Sequence, residues 1–200
     1  MTARRRYLVL AAMTVALVPV SCTPQATDAP SSQSNTPPTT TRAIAAPVGD
    51  PPRQGAGTKR PVGWDPCVEV PDSTLSGIGF EPTTRKRSDA INYDYAFIGC
   101  QFDRREDVRG QIRSTGNLFI DSANVSMQQI REREKEEEFT ANGRAGILFR
   151  DRAAFSCTVV LPGPDGVVQI KASSFPEFTD WDACDHVDEV VGAIEPLIPK

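Results

Sequence analysis

The sequence predicts an α+β domain: an antiparallel sheet of about five or six strands, covered by helices and stapled by two disulfides. Three observations predict it. Five segments between residues 95 and 173 alternate apolar and polar side chains at the period of a half-buried strand. Near the C-terminus, Val187, Val190, Val191, Ile194 and Leu197 or Ile198 form one apolar stripe at helical spacing. Four cysteines, Cys67, Cys100, Cys157 and Cys184, stand within or beside these patterns.

The chain opens with a leader, residues 1–21. Arg4, Arg5 and Arg6 form a basic start, and Tyr7 to Val20 is an apolar run of 14 residues. A membrane span needs about 20, so this run reads as an export signal. Val20, Ser21 and Cys22 resemble the end of a bacterial lipobox, with Pro19 where an aliphatic residue is usual. Cys22 is therefore the expected lipidation site and the first residue after cleavage. One acyl chain binds a membrane marginally, whereas the two chains of a diacylglyceryl group anchor it stably.

Residues 22–60 are expected to be a lipidated N-terminus and a disordered Pro/Ser/Thr-rich linker. Residues 23–60 hold seven prolines, and Ile44 and Val48 are the only large apolar residues there. So little apolar surface does not offset chain entropy. As a coil the segment would span roughly 35 Å, and "TPPTTT" at 36–41 is a mucin-like stretch that could carry O-linked sugar.

Residues 61–200 are one domain's worth of chain. A short helix is expected over 71–78. In "YAFIGCQFD", Ala96, Ile98, Cys100 and Phe102 share a face, and "GNLFID" continues the strand pattern. Ser126 and Gln129 have capping-box spacing, which starts a surface helix expected to run to about Glu138, with Met127, Ile130 and Phe139 as its sparse apolar side. "ANGR" at 141–144 is a turn, followed by "GILFRD". In "AFSCTVVLPG", Phe155, Cys157, Val159 and Leu161 share a face. "PGPDG" turns the chain into "VVQIKAS", with Val168, Ile170 and Ala172 inward. The C-terminal stripe is the last helix.

An exported chain with four cysteines beyond Cys22 reads as a disulfide framework. No CxxC pair occurs, so zinc and thioredoxin-like chemistry find no support. Of three connectivities, Cys67–Cys100 and Cys157–Cys184 fit best. Cys100 and Cys157 lie within strand patterns, while Cys67 and Cys184 lie at helix entrances, and a helix start docked on a strand closes such a bridge.

"WDPC" at 64–67, the short helix after it, Gly99–Cys100 followed by Phe102, the strand with Cys157, and a helix opened by Cys184 together resemble a family of actinobacterial envelope lipoproteins. Its folded domain is of unknown function. The resemblance covers about 61–198, with Phe102 where Trp is more common. It implies an extracytoplasmic, lipid-anchored protein, and it carries no catalytic residue.

Chemistry is sparse. "DWDACDHVDEV" clusters Asp180, Asp182, Asp185, His186, Asp188 and Glu189, but His186 and Asp188 are two apart and do not face each other on a helix. Acids near a helix start complement its dipole instead. His186 is the single histidine, and no GxSxG occurs. "REREKEEE" at 131–138 is a solvated mixed-charge face, and "RKR" at 85–87 an exposed loop or strand edge. "GAGTKR" at 55–60 lacks phosphate-loop spacing, and "NVS" at 124–126 matches a glycosylation sequon.

Without the leader's three arginines the chain has 19 basic and 26 acidic side chains, net −7 from the full chain's −4. That excludes nucleic acid as a natural partner. No residue pattern asks for a cofactor or metal. The expected role is non-catalytic: a membrane-anchored protein, held by lipid on Cys22, that binds an envelope protein, a wall polymer or a small ligand. A lipid or glycolipid carrier is the alternative and a hydrolase is the weaker one.

Overall fold

The computed structural model describes residues 44–55, 57, 60–132 and 137–200. The leader, Cys22 and residues 133–136 lie outside them. One antiparallel sheet of eight strands organises the described chain: β1 (Glu81–Arg87), β2 (Ala90–Ile91), β3 (Ala96–Val108), β4 (Gln111–Ala123), β5 (Glu137–Ala141), β6 (Arg144–Asp151), β7 (Ser156–Gly163) and β8 (Gly166–Ser174). The order across the sheet is β1-β3-β4-β8-β7-β6-β5, and β2 pairs with the edge of β3. The sheet is therefore larger than the five or six strands expected. Its helices are minor: α1 (Pro66–Glu69), α2 (Asp72–Gly77), α3 (Met127–Arg131) and α4 (Val187–Ile194).

The alternation read from sequence sets the buried face. Cys100 lies opposite Ile120, Ile120 opposite Ile170, and Ile170 opposite Val159, so one row of apolar side chains crosses four strands. Phe102, Leu118, Ala172 and Cys157 make the next row. Onto this face pack Trp64, Val70, Leu75, Phe80 and the stripe Val187, Val190, Val191 and Ile194. Fully burying one such side chain contributes about 1.5–3 kcal/mol. On the opposite face, Met127 and Ile130 of α3 pack beside Ile147, Val160 and Val167. Among the described residues no helix is long and apolar enough to cross a membrane.

Several expectations are corrected. The helix expected to reach Glu138 ends at Arg131, and β5 begins at Glu137, so Phe139 is a strand residue in the core. The Ser126–Gln129 capping box does form. Phe155 precedes β7 with φ 48° and is 48 % exposed, so it does not share the inward face. The last helix opens at Val187, three residues after Cys184.

The linker expected over 22–60 falls partly on described residues. There Val48 packs against the core, and the Ala45 N–H donates to Asp72. Gln54 bonds both the N–H and the carbonyl of Val62 at 2.7 Å. Further on, Asp165 of the β7–β8 turn accepts the N–H groups of Gly63 (2.9 Å) and Trp64 (3.0 Å). The described residues of this stretch, 44–55, 57 and 60–62, thus form a strap along the domain.

Candidate functional site

Two disulfides close: Cys67–Cys100, with Cα atoms 5.0 Å apart, and Cys157–Cys184, at 5.2 Å. The first fixes α1 to the centre of β3. Asp65 caps α1 by accepting the Cys67 N–H at 3.0 Å, and Pro66 begins the helix at a position where its missing N–H costs nothing. The second fixes the turn before α4 to β7.

"RKR" ends β1 at the edge of the sheet, as the strand-edge reading had it, but it is not an exposed patch. Arg85 is 5 % exposed and reaches under the sheet edge. It donates to the carbonyls of Cys67 (2.9 Å) and Val70 (3.1 Å), pairs with Asp72 at 2.6 Å, and lies 5.0 Å over the Phe102 ring. Lys86 is exposed. Arg87 forks onto Asp89 at 2.6 and 2.8 Å and onto Asp65 at 2.9 Å, and also donates to the Gly49 carbonyl at 3.3 Å. These two arginines tie α1, α2 and the strap to β1. A count of basic residues does not reveal this, because the partners stand 13, 22 and 2 positions away and no spacing joins them.

The acidic C-terminal cluster is dispersed into structural tasks. Asp182 accepts the N–H groups of Cys184 (2.7 Å) and Asp185 (3.2 Å), shaping the turn before α4. Asp188 and Glu189 stand in the helix's first turn. His186 contacts Glu189 at 3.2 Å and stacks on Trp181, whose indole also meets the Arg104 guanidinium at 4.8 Å. No group of three or more His, Cys, Asp or Glu is placed to hold a metal among the described residues. Of the mixed-charge run, Arg131 pairs with Glu138 at 3.0 Å across the undescribed residues. In "NVS", Asn124 spends its amide on Ala96 N–H and Arg60 O.

An open cleft of about 830 Å³ lies beside Arg144, Pro162, Pro196 and Pro199. Its guanidinium is already committed: it pairs with Glu195 at 2.7 Å and donates to the carbonyls of Pro162, Ile198 and Pro199. The cleft is thus built around a clamp on the C-terminal segment. A smaller cleft of about 330 Å³ lies under the β3–β4 tip, where Arg113 sits 5.5 Å over Phe178.

The densest unspent chemistry surrounds Gly99. Its N–H donates to Asp89 (3.0 Å), and its carbonyl accepts the Ser88 N–H (3.0 Å) and lies 3.4 Å from the Cys67 sulfur. Directly across on β4 stands Asp121. A Cβ on residue 99 would lie 1.9 Å from the Asp121 Oδ1 and 2.7 Å from the Ser88 Oγ, so the missing side chain makes the seat for that carboxyl. Desolvation pushes the Asp121 pKa up to about 7; the Ser88 hydroxyl, at 3.4 Å, works against it and the Asp89 charge adds to it. Three aspartates, Asp65, Asp89 and Asp121, thus stand around one guanidinium, that of Arg87, without all touching it. That guanidinium is bonded to the first two, which raise the Arg87 pKa. Sequence reasoning missed Asp121 because "GNLFID" reads as an ordinary strand end.

Fold and site together define a disulfide-stapled, single-sheet domain whose distinctive chemistry is a half-buried acidic cluster at the start of α1. The chain belongs to the family described as Protein of unknown function (DUF3558), whose model matches residues 17–197. No curated protein and no solved structure matches it.

Proposed function

We propose that this is a lipid-anchored cell-envelope lipoprotein of the actinobacterial kind, akin to the mycobacterial LprB and LprC lipoproteins, with a non-catalytic binding or scaffolding domain. The observation that carries it is the combination of a basic–apolar leader ending at Cys22 with a domain whose other four cysteines are all in disulfides. Disulfides persist where the compartment is oxidising. The leader supplies the route there, and a diacylglyceryl group on Cys22 supplies the membrane partner. The domain then faces the envelope, where a partner protein, a wall polymer or a small ligand is its target.

The packed interior, with Leu75, Phe80, Phe102 and Ile194 fully buried between sheet and helices, lends no support to a lipid or glycolipid carrier. His186 lies against Glu189 and Trp181, which gives a histidine-based hydrolase no support either.

Fatty-acid labelling of the exported protein tests the anchor. The parent should incorporate label and sediment with membranes, and Cys22→Ser should do neither. A Cys22→Ser protein that remains labelled and membrane-bound sinks the reading.

A further inference from the structure

The acidic cluster lies on one of the connections between the sheet and the N-terminal strap, beside those made by Asn124 to the Arg60 carbonyl and by Val62 against Ala96 and Ile98. Arg87 joins them, because the same guanidinium bonds Asp89, the α1 cap Asp65 and the strap carbonyl of Gly49. Asp89 in turn holds the Gly99 N–H, and its neighbour Ser88 faces Asp121. Asp121 sits in the space left by Gly99, with no cation bonded to it among the described residues. Other charged groups share its sheet face by register: Lys86 on β1 and Lys171 on β8 lie in the row of Gln101 and Phe119, Asp103 lies one row further along β3, and α3, packed on this face, ends in Arg131 and Glu132, of which Arg131 pairs with Glu138. The β8 residue directly opposite Asp121 is the neutral Gln169. Asp89 is therefore the charge that Asp121 meets most directly, and it has the same sign.

We propose that Asp121 is a proton-operated latch: its neutral form lets the Ser88–Asp89 loop close over Gly99 and keeps Arg87 on Asp65 and the strap, and its ionisation loosens that closure. A neutral carboxyl can donate a hydrogen bond toward Ser88 and brings no repulsion to Asp89. An ionised one is half-buried, without a counter-charge and beside a like charge, a state relieved when the loop lifts and more water enters. The direction follows from proton linkage. The closed form has the raised pKa, about 7, and the opened form an ordinary one of about 4. Opening therefore grows by up to about tenfold per pH unit between those values and levels off above the upper one. Acid tightens the strap and neutral pH loosens it. Where Cys22 carries lipid, release of the strap also lengthens the tether; that consequence rests on the anchoring reading, whereas the latch does not.

Hydrogen exchange on the exported, oxidised and unlipidated protein tests it, corrected for the intrinsic pH dependence of exchange. Residues 44–62 and α1 should lose protection as pH rises toward neutrality and then plateau. Asp121→Asn should keep the acid-side protection throughout. Carbon-13 carboxyl shifts of the unaltered protein give a second readout independent of any variant: one aspartate should titrate near neutrality. Protection that does not change with pH, an Asp121→Asn profile that follows the parent's, or a carboxyl set that titrates wholly in the ordinary acid range would each overturn the proposal.

Discussion

At the scale of single residues, the Gly99–Asp121 pair is the sharpest dependence in the fold. Gly99→Ala places a methyl 1.9 Å from the Asp121 oxygen, so the carboxyl must move, at a cost of about 1–3 kcal/mol. In an Asp121→Ala background the same substitution should cost less, and a double-mutant cycle by chemical denaturation reads that coupling directly. Asp121 also sets a pH dependence of global stability. Its folded pKa lies above its unfolded one, so its stabilising contribution is full in acid and declines as pH rises from about 4 to about 7. Relative to Asp121→Asn, the parent should lose as much as ~4 kcal/mol across that window and nothing further above it. Parallel stability curves for the two proteins would contradict this. None of this was legible in the sequence. An aspartate at a strand end is common, and its meaning comes from a glycine 22 positions away that the register of β3 and β4 sets opposite it.

At the scale of elements, the parts read well are those whose buried positions are apolar. β7 and β8 show their inward row because it packs in the core with α4, while Val160 and Val167 on the other face meet α3, and α4 shows its stripe because one side of it is covered. The parts read poorly lack that signal. The β3–β4 hairpin runs past the last residues that pair with β1 and β8, so from Arg105 to Ser114 its two strands pair only with each other. With no third strand beside it and only the segment of Glu177 and Phe178 against one side, the hairpin buries little and the period-two pattern is lost. Its turn, Arg109 and Gly110, uses positive φ at both positions, as a tight hairpin requires. β1 was hidden because its inward position is filled by Arg85, an amphipathic side chain standing in for an apolar one. β5 was hidden because Glu-rich sequence favours helix, whereas pairing with β6 and the Asn142–Gly143 turn impose a strand. The disulfides make an element-scale prediction. Their loops close over 33 and 27 residues, so replacing both cysteines of either bridge by Ala should lower stability by about 3.5 kcal/mol. Denaturant titration with the other bridge intact measures it, and a loss below 1 kcal/mol would mean that α1 or α4 is fixed by packing alone.

At the scale of the whole molecule, the domain's working boundary lies ahead of residue 61. Composition marks 23–60 as a segment unable to fold by itself, and that argument is sound for an isolated chain. It does not apply where a folded surface supplies the partners. Ahead of residue 61, Val48 packs against the core, and polar bonds secure the described residues around it: Ala45 to Asp72, Gly49 to Arg87, Gln54 to Val62 and Arg60 to Asn124. With one half-buried valine and a few hydrogen bonds to hold it, the strap adds little. A protein beginning at residue 61 should therefore be less stable than one beginning at residue 44 by only about 1–2 kcal/mol. The difference should be largest in acid, where the latch is closed and the strap contributes fully, and should shrink toward neutral pH. Thermal melts of the two proteins at both pH values separate the alternatives. A constant difference would show a strap indifferent to Asp121. Equal melting at every pH would show a strap that adds nothing to the domain.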